Sequence, residues 1–120
     1  MELVAFVAGT DLDASERFYG GALGLRLVES TAFARVFAAG GTLLRVTQVE
    51  RAARAAYTVL GWSVPDLAAA IEALEARGVT FKRYDGLAQS EAGIWTAPSG
   101  ARVAWFDDPD GNVLSLSQIA

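Results

Sequence analysis

The sequence contains no cysteine and no histidine among its 120 residues. Without cysteine the chain can form no disulfide, and it has no thiolate to act as a nucleophile or metal ligand. Without histidine it lacks the side chain that most often serves as a general base or binds a metal ion. The chemistry of any functional site must therefore come from carboxylates, cations, hydroxyls or aromatic rings.

Positive charge is also scarce, because ten Lys and Arg face fourteen Asp and Glu, for a formal net charge of −4. No basic cluster stands out, so nucleic acid and anionic membranes are not expected partners. No apolar run is long enough to span a bilayer, and the first residues lack the basic start of a signal peptide. We therefore expect a cytoplasmic protein.

Hydrophobic residues make up 52% of the chain and charged residues 20%, which predicts one globular domain over residues 1–120. Within it a pattern occurs twice. Asp11-Leu12 and Asp66-Leu67 each open a helical pattern, and Gly24 and Gly78 follow them at nearly equal spacing. We predict two copies of one unit, modules 1–50 and 56–120, joined by an Ala-rich charged connector at 50–55.

Each module reads as a strand, a helix and three further strands, which predicts an α+β fold built from two βαβββ modules. The first helix begins near Asp11, with capping-box spacing from Asp13 to Glu16, and Asp66 caps the second. The predicted strands are 3–8, 25–29, 33–38 and 42–49 in the first module, and 57–64, 79–84, 101–106 and 113–117 in the second.

The last two strands flank a cluster of turn-forming residues at 107–112, which predicts a hairpin. In its second strand Leu114 and Leu116 alternate with Ser115 and Ser117. Alternation places the leucines on one face of the sheet and the serines on the other. We expect the leucines to pack in the core and the serine side to line a pocket.

Three motifs resemble the vicinal oxygen chelate superfamily, which includes glyoxalase I, extradiol dioxygenases, and fosfomycin and bleomycin resistance proteins. They are Asp-Leu-x-x-Ser-x-x-Phe-Tyr at 11–19, Leu-Gly-Leu at 23–25 and Asp-Pro-Asp-Gly-Asn at 108–112. The resemblance implies two modules whose mixed sheet curls around a cavity, usually in a homodimer. It does not imply a reaction, because one fold supports many functions.

The resemblance also indicates where metal-using members carry their ligands. The matching positions hold Val4, Arg45, Thr58 and Ser115. None of these side chains is a carboxylate, imidazole or thiolate, which are the usual protein ligands of divalent metals. We therefore predict no metal and no cofactor.

Arg45 stands in an otherwise apolar strand and shares a face with Leu43 and Thr47 by alternation. If that face lines the cavity, its guanidinium offers a planar fork for a carboxylate or phosphate. The alternative is that Arg45 pairs with an internal acid such as Glu29 or reaches solvent.

Four aromatic residues fall near the expected cavity, where they could stack on a flat ligand or simply pack in the core. They are Phe6, Trp62, Trp95 and Trp105. Trp62 has the same strand parity as Thr58 and is the favoured aromatic contact. The long loop predicted at 85–99 is a candidate lid or pocket rim.

Two classes of function follow. The first is a metal-free protein that binds an apolar or aromatic ligand, or an anionic one, as a homodimer. The second is a lyase or dioxygenase-type enzyme with altered chemistry, although the sequence identifies no catalytic residue. The predicted ligand-binding residues are Val4, Phe6, Arg45, Thr58, Trp62, Trp95, Trp105 and Ser115.

Overall fold

The computed structural model describes residues 1–119 and divides the chain into two units. The first unit comprises residues 1–55 together with the turn 108–112. The second comprises residues 56–107 together with 113–119. Each unit contains one four-stranded sheet in which parallel and antiparallel pairs are mixed.

In the first unit the strand order is β1-β4-β3-β2, with β1 parallel to β4 and the other neighbours antiparallel. A π-helical turn continues α1 directly. The elements are β1 (Val4–Gly9), α1 (Leu12–Glu16), the π-helical turn (Arg17–Ala22), β2 (Arg26–Ser30), β3 (Ala34–Ala39) and β4 (Thr42–Gln48).

Asp11 caps α1, because its carboxylate accepts hydrogen bonds from the backbone N–H groups of Asp13 and Ala14. The expected capping box beginning at Asp13 is therefore wrong. Asp13 lies inside the helix, where its carboxylate is 3.0 Å from the Arg35 guanidinium. Gly24 has a φ of +72° just after the helix ends, which is the left-handed position predicted for a glycine there.

The second unit repeats this topology, with strand order β5-β8-β7-β6 and β5 parallel to β8. The repeat and the α+β class are thus confirmed. Asp66 caps α2 by accepting a hydrogen bond from the Ala69 N–H, as predicted. The elements are β5 (Thr58–Ser63), α2 (Leu67–Glu75), β6 (Trp95–Thr96), β7 (Arg102–Asp107) and β8 (Val113–Gln118).

The strand predicted at 79–84 is wrong, since only Phe81 pairs there, through a single bridge to Phe106. The chain then turns away at Gly86, whose φ is +80°. The next pairing positions along β7 are taken by β6, which lies inside the segment 85–99 predicted to be loop. Residues 83 and 84 consequently have no partner strand.

Each sheet buries one apolar face. In the first unit Leu44 and Phe37 are buried on the side where α1 packs. In the second unit Leu114, Leu116 and Phe106 are buried, which confirms the predicted core face of the hairpin. Among residues 1–119, no helix is both long and apolar enough to cross a membrane.

Candidate functional site

The face of the second sheet opposite its buried leucines carries a floor of small side chains. The pairing register places Gly61 beside Ser115 and Ser63 beside Ser117. A Cβ atom on Gly61 would lie 2.5 Å from the Ser115 Oγ, so a larger residue at this position would force the Ser115 hydroxyl to move. We call this surface the serine face; it also carries Thr58, Trp95, Val103, Trp105, Asp107 and Val113.

Three aromatic rings form a cluster on the serine face. The ring centroids of Trp95 and Trp105 are 6.2 Å apart, and the Tyr84 ring meets Trp105 edge-on at 5.5 Å. These separations are typical of favourable aromatic pairs. The rings therefore hold one another in place beside the floor of small residues.

The Trp105 indole is also fixed by a hydrogen bond, because its Nε1–H donates to the Thr58 Oγ1 at 3.1 Å. Trp105 lies on β7 and Thr58 on β5, so the indole reaches across β8. Thr58 is one of the four positions that the sequence resemblance matched to metal ligands. In this chain its hydroxyl orients an aromatic ring.

A charged pair completes the serine face. The Lys82 Nζ lies 2.8 and 2.9 Å from the two carboxylate oxygens of Asp107, and 5.9 Å from the centroid of the Tyr84 ring. The two charges neutralise each other. This end of the face therefore offers no unpaired charge to a ligand.

The Gln89 side chain anchors the segment between Phe81 and β6. Its Oε1 accepts from the Tyr84 N–H at 2.8 Å, and its Nε2 donates to the carbonyls of Lys82 and Gly93 at 3.1 and 2.8 Å. These bonds tie the two ends of the segment together. A role for this segment as lid or rim stays a prediction.

Trp62 does not share a face with Thr58, so the parity argument for it is wrong. A β-bulge between Thr58 and Leu60 shifts the register, and Trp62 pairs with Leu116 on the core side. The glycine at position 61 was the available signal, since a glycine inside a strand often marks a bulge or a close approach. Sequence reasoning also did not identify Tyr84, Lys82 and Asp107 as residues of the serine face and its aromatic cluster.

In the first unit, Val4, Phe6 and Arg45 lie on one face of the sheet, since Phe6 pairs with Arg45 and Val4 with Leu43. Arg45 is half-buried and has no hydrogen-bond or ion-pair partner within residues 1–119. The ion pair between Arg45 and Glu29, which the sequence left open as an alternative, is therefore not formed.

The two longest motifs meet around one buried carboxylate. The Tyr19 hydroxyl and the Asn112 Nδ2 each donate to the Asp108 Oδ2 at 2.7 Å. The backbone N–H groups of Asp110 and Asn112 donate to its Oδ1 at 2.9 Å. Burial, together with the nearby Asp108 carboxylate, raises the pKa of Tyr19 far above its ordinary value. These hydrogen bonds connect the motif at 11–19 to the motif at 108–112.

A polar groove of about 750 Å³ in the first unit contains none of the predicted ligand-binding residues. The Arg35 side chain on its wall is bound to Glu16, Asp13 and the Thr31 carbonyl. The groove is lined by Thr10, Asp11, Leu12, Asp13, Ser30, Thr31, Ala32, Arg35 and Gln48.

The four positions matched to metal ligands do not supply a metal's donors. Val4 has no donor atom, Arg45 is a cation, and the Thr58 hydroxyl already accepts a hydrogen bond from Trp105. The described part of the chain contains no group of three or more His, Cys, Asp or Glu placed to hold a metal ion. These residues do not fit a divalent metal.

Paired βαβββ units and the order of their motifs define a class of protein. The family model described as Glyoxalase/Bleomycin resistance protein/Dioxygenase superfamily matches residues 3–116. The chain belongs to this superfamily. No curated protein sequence matches it.

Solved structures show the same fold at low sequence identity. A glyoxalase/bleomycin resistance protein from Catenulispora acidiphila is 24% identical with a TM-score of 0.74, covering 100% of this chain and 99% of its own. A lactoylglutathione lyase from Agrobacterium tumefaciens is 18% identical with a TM-score of 0.75, covering 98% and 92%. A fosfomycin resistance protein from Listeria monocytogenes is 14% identical with a TM-score of 0.77, covering 100% and 93%.

Proposed function

We propose that this chain is a metal-independent small-molecule binding protein whose ligand is apolar or aromatic. The observation that carries the proposal is the aromatic cluster beside the floor of the serine face. Trp105 is held by Trp95, Tyr84 and Thr58, so little side-chain entropy is lost when a ligand stacks on it. A flat ring is the ligand shape that this arrangement favours.

The small side chains give the ligand room, and their hydroxyls give it polar contacts. Gly61 and Ser63 leave β5 without bulk on the serine face, and Ser115 and Ser117 supply hydroxyls that donate or accept. A polar substituent on the ring could bond to them. Within the first unit, and separately from the serine face, Val4 and Phe6 are proposed as apolar contacts and Arg45 as the contact for an acidic group.

Metal independence is proposed from the donor chemistry of Val4, Arg45, Thr58 and Ser115. A metal that bound the native state alone would raise the melting temperature, and a chelator would lower it again. We expect a chelator to leave the melting temperature unchanged. Elemental analysis showing about one Ni, Zn, Fe or Mn ion per chain would contradict the proposal.

The second candidate is an enzyme of the same superfamily with altered chemistry, a lyase or dioxygenase type. The Lys82–Asp107 pair on the serine face is the observation that favours it, since it places a cation and a carboxylate beside the aromatic cluster. No nucleophile accompanies this pair within hydrogen-bond distance among residues 1–119. Recovery of the bound ligand unchanged after prolonged incubation would favour binding, whereas turnover would favour the enzyme.

We also propose that two chains associate as a homodimer in the cytoplasm. Exposed apolar side chains support an association surface, among them Leu3, Phe6 and Phe33 at 76%, 65% and 74% exposure. Light scattering at micromolar concentration should give twice the mass of one chain. A monomer would contradict this part of the proposal.

The binding proposal can be tested with two matched tryptophan variants. Trp105→Leu removes the ring on the serine face, and Trp62→Leu removes one on the core side. Calorimetric titration with neutral bicyclic aromatics, 2-naphthamide first, should show about tenfold weaker binding to Trp105→Leu. Trp62→Leu should bind as the wild type does. Loss of binding in Trp62→Leu alone, or no binding of the wild type to any of these compounds, would overturn the proposal.

A further inference from the structure

We infer that Arg45 and Thr47 on β4 form an oxyanion-binding subsite, and that the ligand class is an amphipathic carboxylate. This inference rests on the proposed small-molecule binding function and names the ligand class that the first unit would take. All the residues that carry it lie in the first unit.

The subsite lies on one face of the first sheet, which we call the Arg45 face. Alternation along β4 puts Leu43, Arg45 and Thr47 on it, and the register adds Val4 and Phe6 from the neighbouring strand β1. Along this face Val4 pairs with Leu43, Phe6 pairs with Arg45, and Thr47 comes next on β4. The face is therefore apolar at one end and polar at the other.

Arg45 contrasts with Arg35, which is also half-buried in this sheet. The Arg35 guanidinium has three partners, with Glu16 at 2.7 Å, Asp13 at 3.0 Å and the Thr31 carbonyl at 2.6 Å. Arg45 has none within residues 1–119. A partly desolvated cation is stabilised when an anion meets its planar fork, and a bound ligand would provide that anion.

Thr47 supplies the second donor. Its Oγ1 is buried and has no hydrogen-bond partner among the described residues. Buried hydroxyls are normally paired, so an orphan of this kind points to a missing partner. Thr47 follows Arg45 by two positions, about 7 Å along the strand. Rotation about its Cα–Cβ bond can turn the hydroxyl toward an oxygen atom held by the flexible Arg45 side chain.

The apolar end of the face selects the rest of the ligand. Val4 and Leu43 are about two-fifths exposed, at 38% and 41%, and Phe6 is 65% exposed. An apolar body lying against these three side chains would bury them. Because Arg45 is the one cation that β1 and β4 place on this face, a singly charged carboxylate matches these two strands better than a phosphate dianion does.

Calorimetric titrations of the full chain with 2-naphthoate and with its neutral analogue 2-naphthamide test the inference. The wild type should bind the acid at least tenfold more tightly. Arg45→Gln should lose roughly 10- to 100-fold in affinity for the acid, the range expected for a charge-assisted hydrogen bond. Arg45→Lys should recover only part of this loss, because a point charge lacks the fork. Neither variant should change the affinity for the amide.

Thr47→Val tests the hydroxyl, and Thr42→Val is its matched control because Thr42 lies on the opposite face of the same strand. Thr47→Val should reduce the preference for the acid severalfold, and Thr42→Val should not. A higher melting temperature for Thr47→Val with unchanged acid preference would show that the hydroxyl has no ligand role, and would overturn its part in the subsite.

The failure of this inference is distinguishable from the failure of the proposed function. If the amide binds and the acid binds no better, the subsite is wrong while the binding function stands. If 2-naphthyl phosphate binds more tightly than 2-naphthoate, the carboxylate assignment is wrong. If none of the three compounds binds, the proposed function itself fails.

Discussion

The two units of the chain share one topology but differ in their second strand. In the first unit that strand is β2 (Arg26–Ser30), which pairs with β3 on both sides of a bulge between Leu27 and Glu29. In the second unit it is reduced to the Phe81 bridge and the two residues of β6. The break brings Trp95 and Tyr84 to Trp105. The segment that replaces a continuous strand in the second unit therefore supplies two rings of the aromatic cluster that we propose binds a ligand.

The contrast extends to two adjacent aspartates that belong to different units. Asp108 is buried in the first unit and accepts four hydrogen bonds through its two oxygens. Asp107 belongs to the second unit, is 35% exposed and pairs with Lys82. The buried carboxylate should therefore govern stability, and the exposed one should matter mainly to the surface it lies on.

The largest expected effect is that of Asp108→Ala, which would leave the Tyr19 hydroxyl and several N–H groups buried without an acceptor. We expect the free energy of unfolding to fall by about 3–5 kcal/mol. Urea denaturation followed by circular dichroism measures it. A loss no larger than that of Asp107→Ala would remove the distinction between the two carboxylates.

Tyr19→Phe should have the next largest effect, about 1.5–3 kcal/mol at neutral pH, because it deletes one charge-assisted hydrogen bond to Asp108. It should also change the alkaline behaviour. The pKa of Tyr19 is raised in the folded state, so its contribution is complete below about pH 10 and is lost as pH rises toward the folded-state pKa.

Unfolding of the wild type should therefore become easier above about pH 10, by up to about 1.4 kcal/mol per pH unit from this residue. Tyr19→Phe should lack that component. Urea titrations between pH 8 and pH 11 compare the two proteins. Equal slopes in both would contradict the assignment of the alkaline loss to Tyr19.

Thr58→Val should cost about 0.5–1.5 kcal/mol of stability by removing the acceptor of the Trp105 indole N–H. It should also weaken the binding of 2-naphthamide severalfold, because Trp105 would no longer be held in one orientation. Thr58→Ser keeps a hydroxyl and should restore both properties. Undiminished binding by Thr58→Val would show that this hydrogen bond does not position the ring.

The smallest stability effect is expected for Asp107→Ala. Its ion pair with Lys82 leaves both side chains about one-third exposed, and such pairs contribute about 0.2–1 kcal/mol. The loss should shrink further in 0.5 M salt, which screens exposed charges. A loss above about 2 kcal/mol that persists in salt would mean that the pair is structural, like Asp108.

Local patterns predicted most of the fold. Alternation identified Leu114 and Leu116 as core residues, and the position before an apolar helical stripe identified Asp66 as a cap. These features depend on neighbours in the sequence, where periodicity and capping rules apply directly. Seven of the eight predicted strands correspond to β1 to β5, β7 and β8, and their ends agree to within a few residues.

What the sequence could not predict depends on long-range pairing. The bulge after Thr58 turned Trp62 to the core side; alternation alone does not reveal a bulge, and Gly61 was the local sign of it. The turn at 108–112 was explained by local turn chemistry alone, whereas Asp108 also binds Tyr19, which lies far away in the sequence. The surrounding cavity, the homodimer and the joint ligand role of the predicted site residues stay predictions.

The central claim is that a flat ligand binds on the serine face without a metal ion. A crystal structure of the protein with 2-naphthamide tests it most directly. We predict ring density in van der Waals contact with Trp105, above Gly61 and Ser115. A ring bound against Trp62 on the core side, or a divalent ion coordinated at Thr58 and Ser115, would contradict the claim.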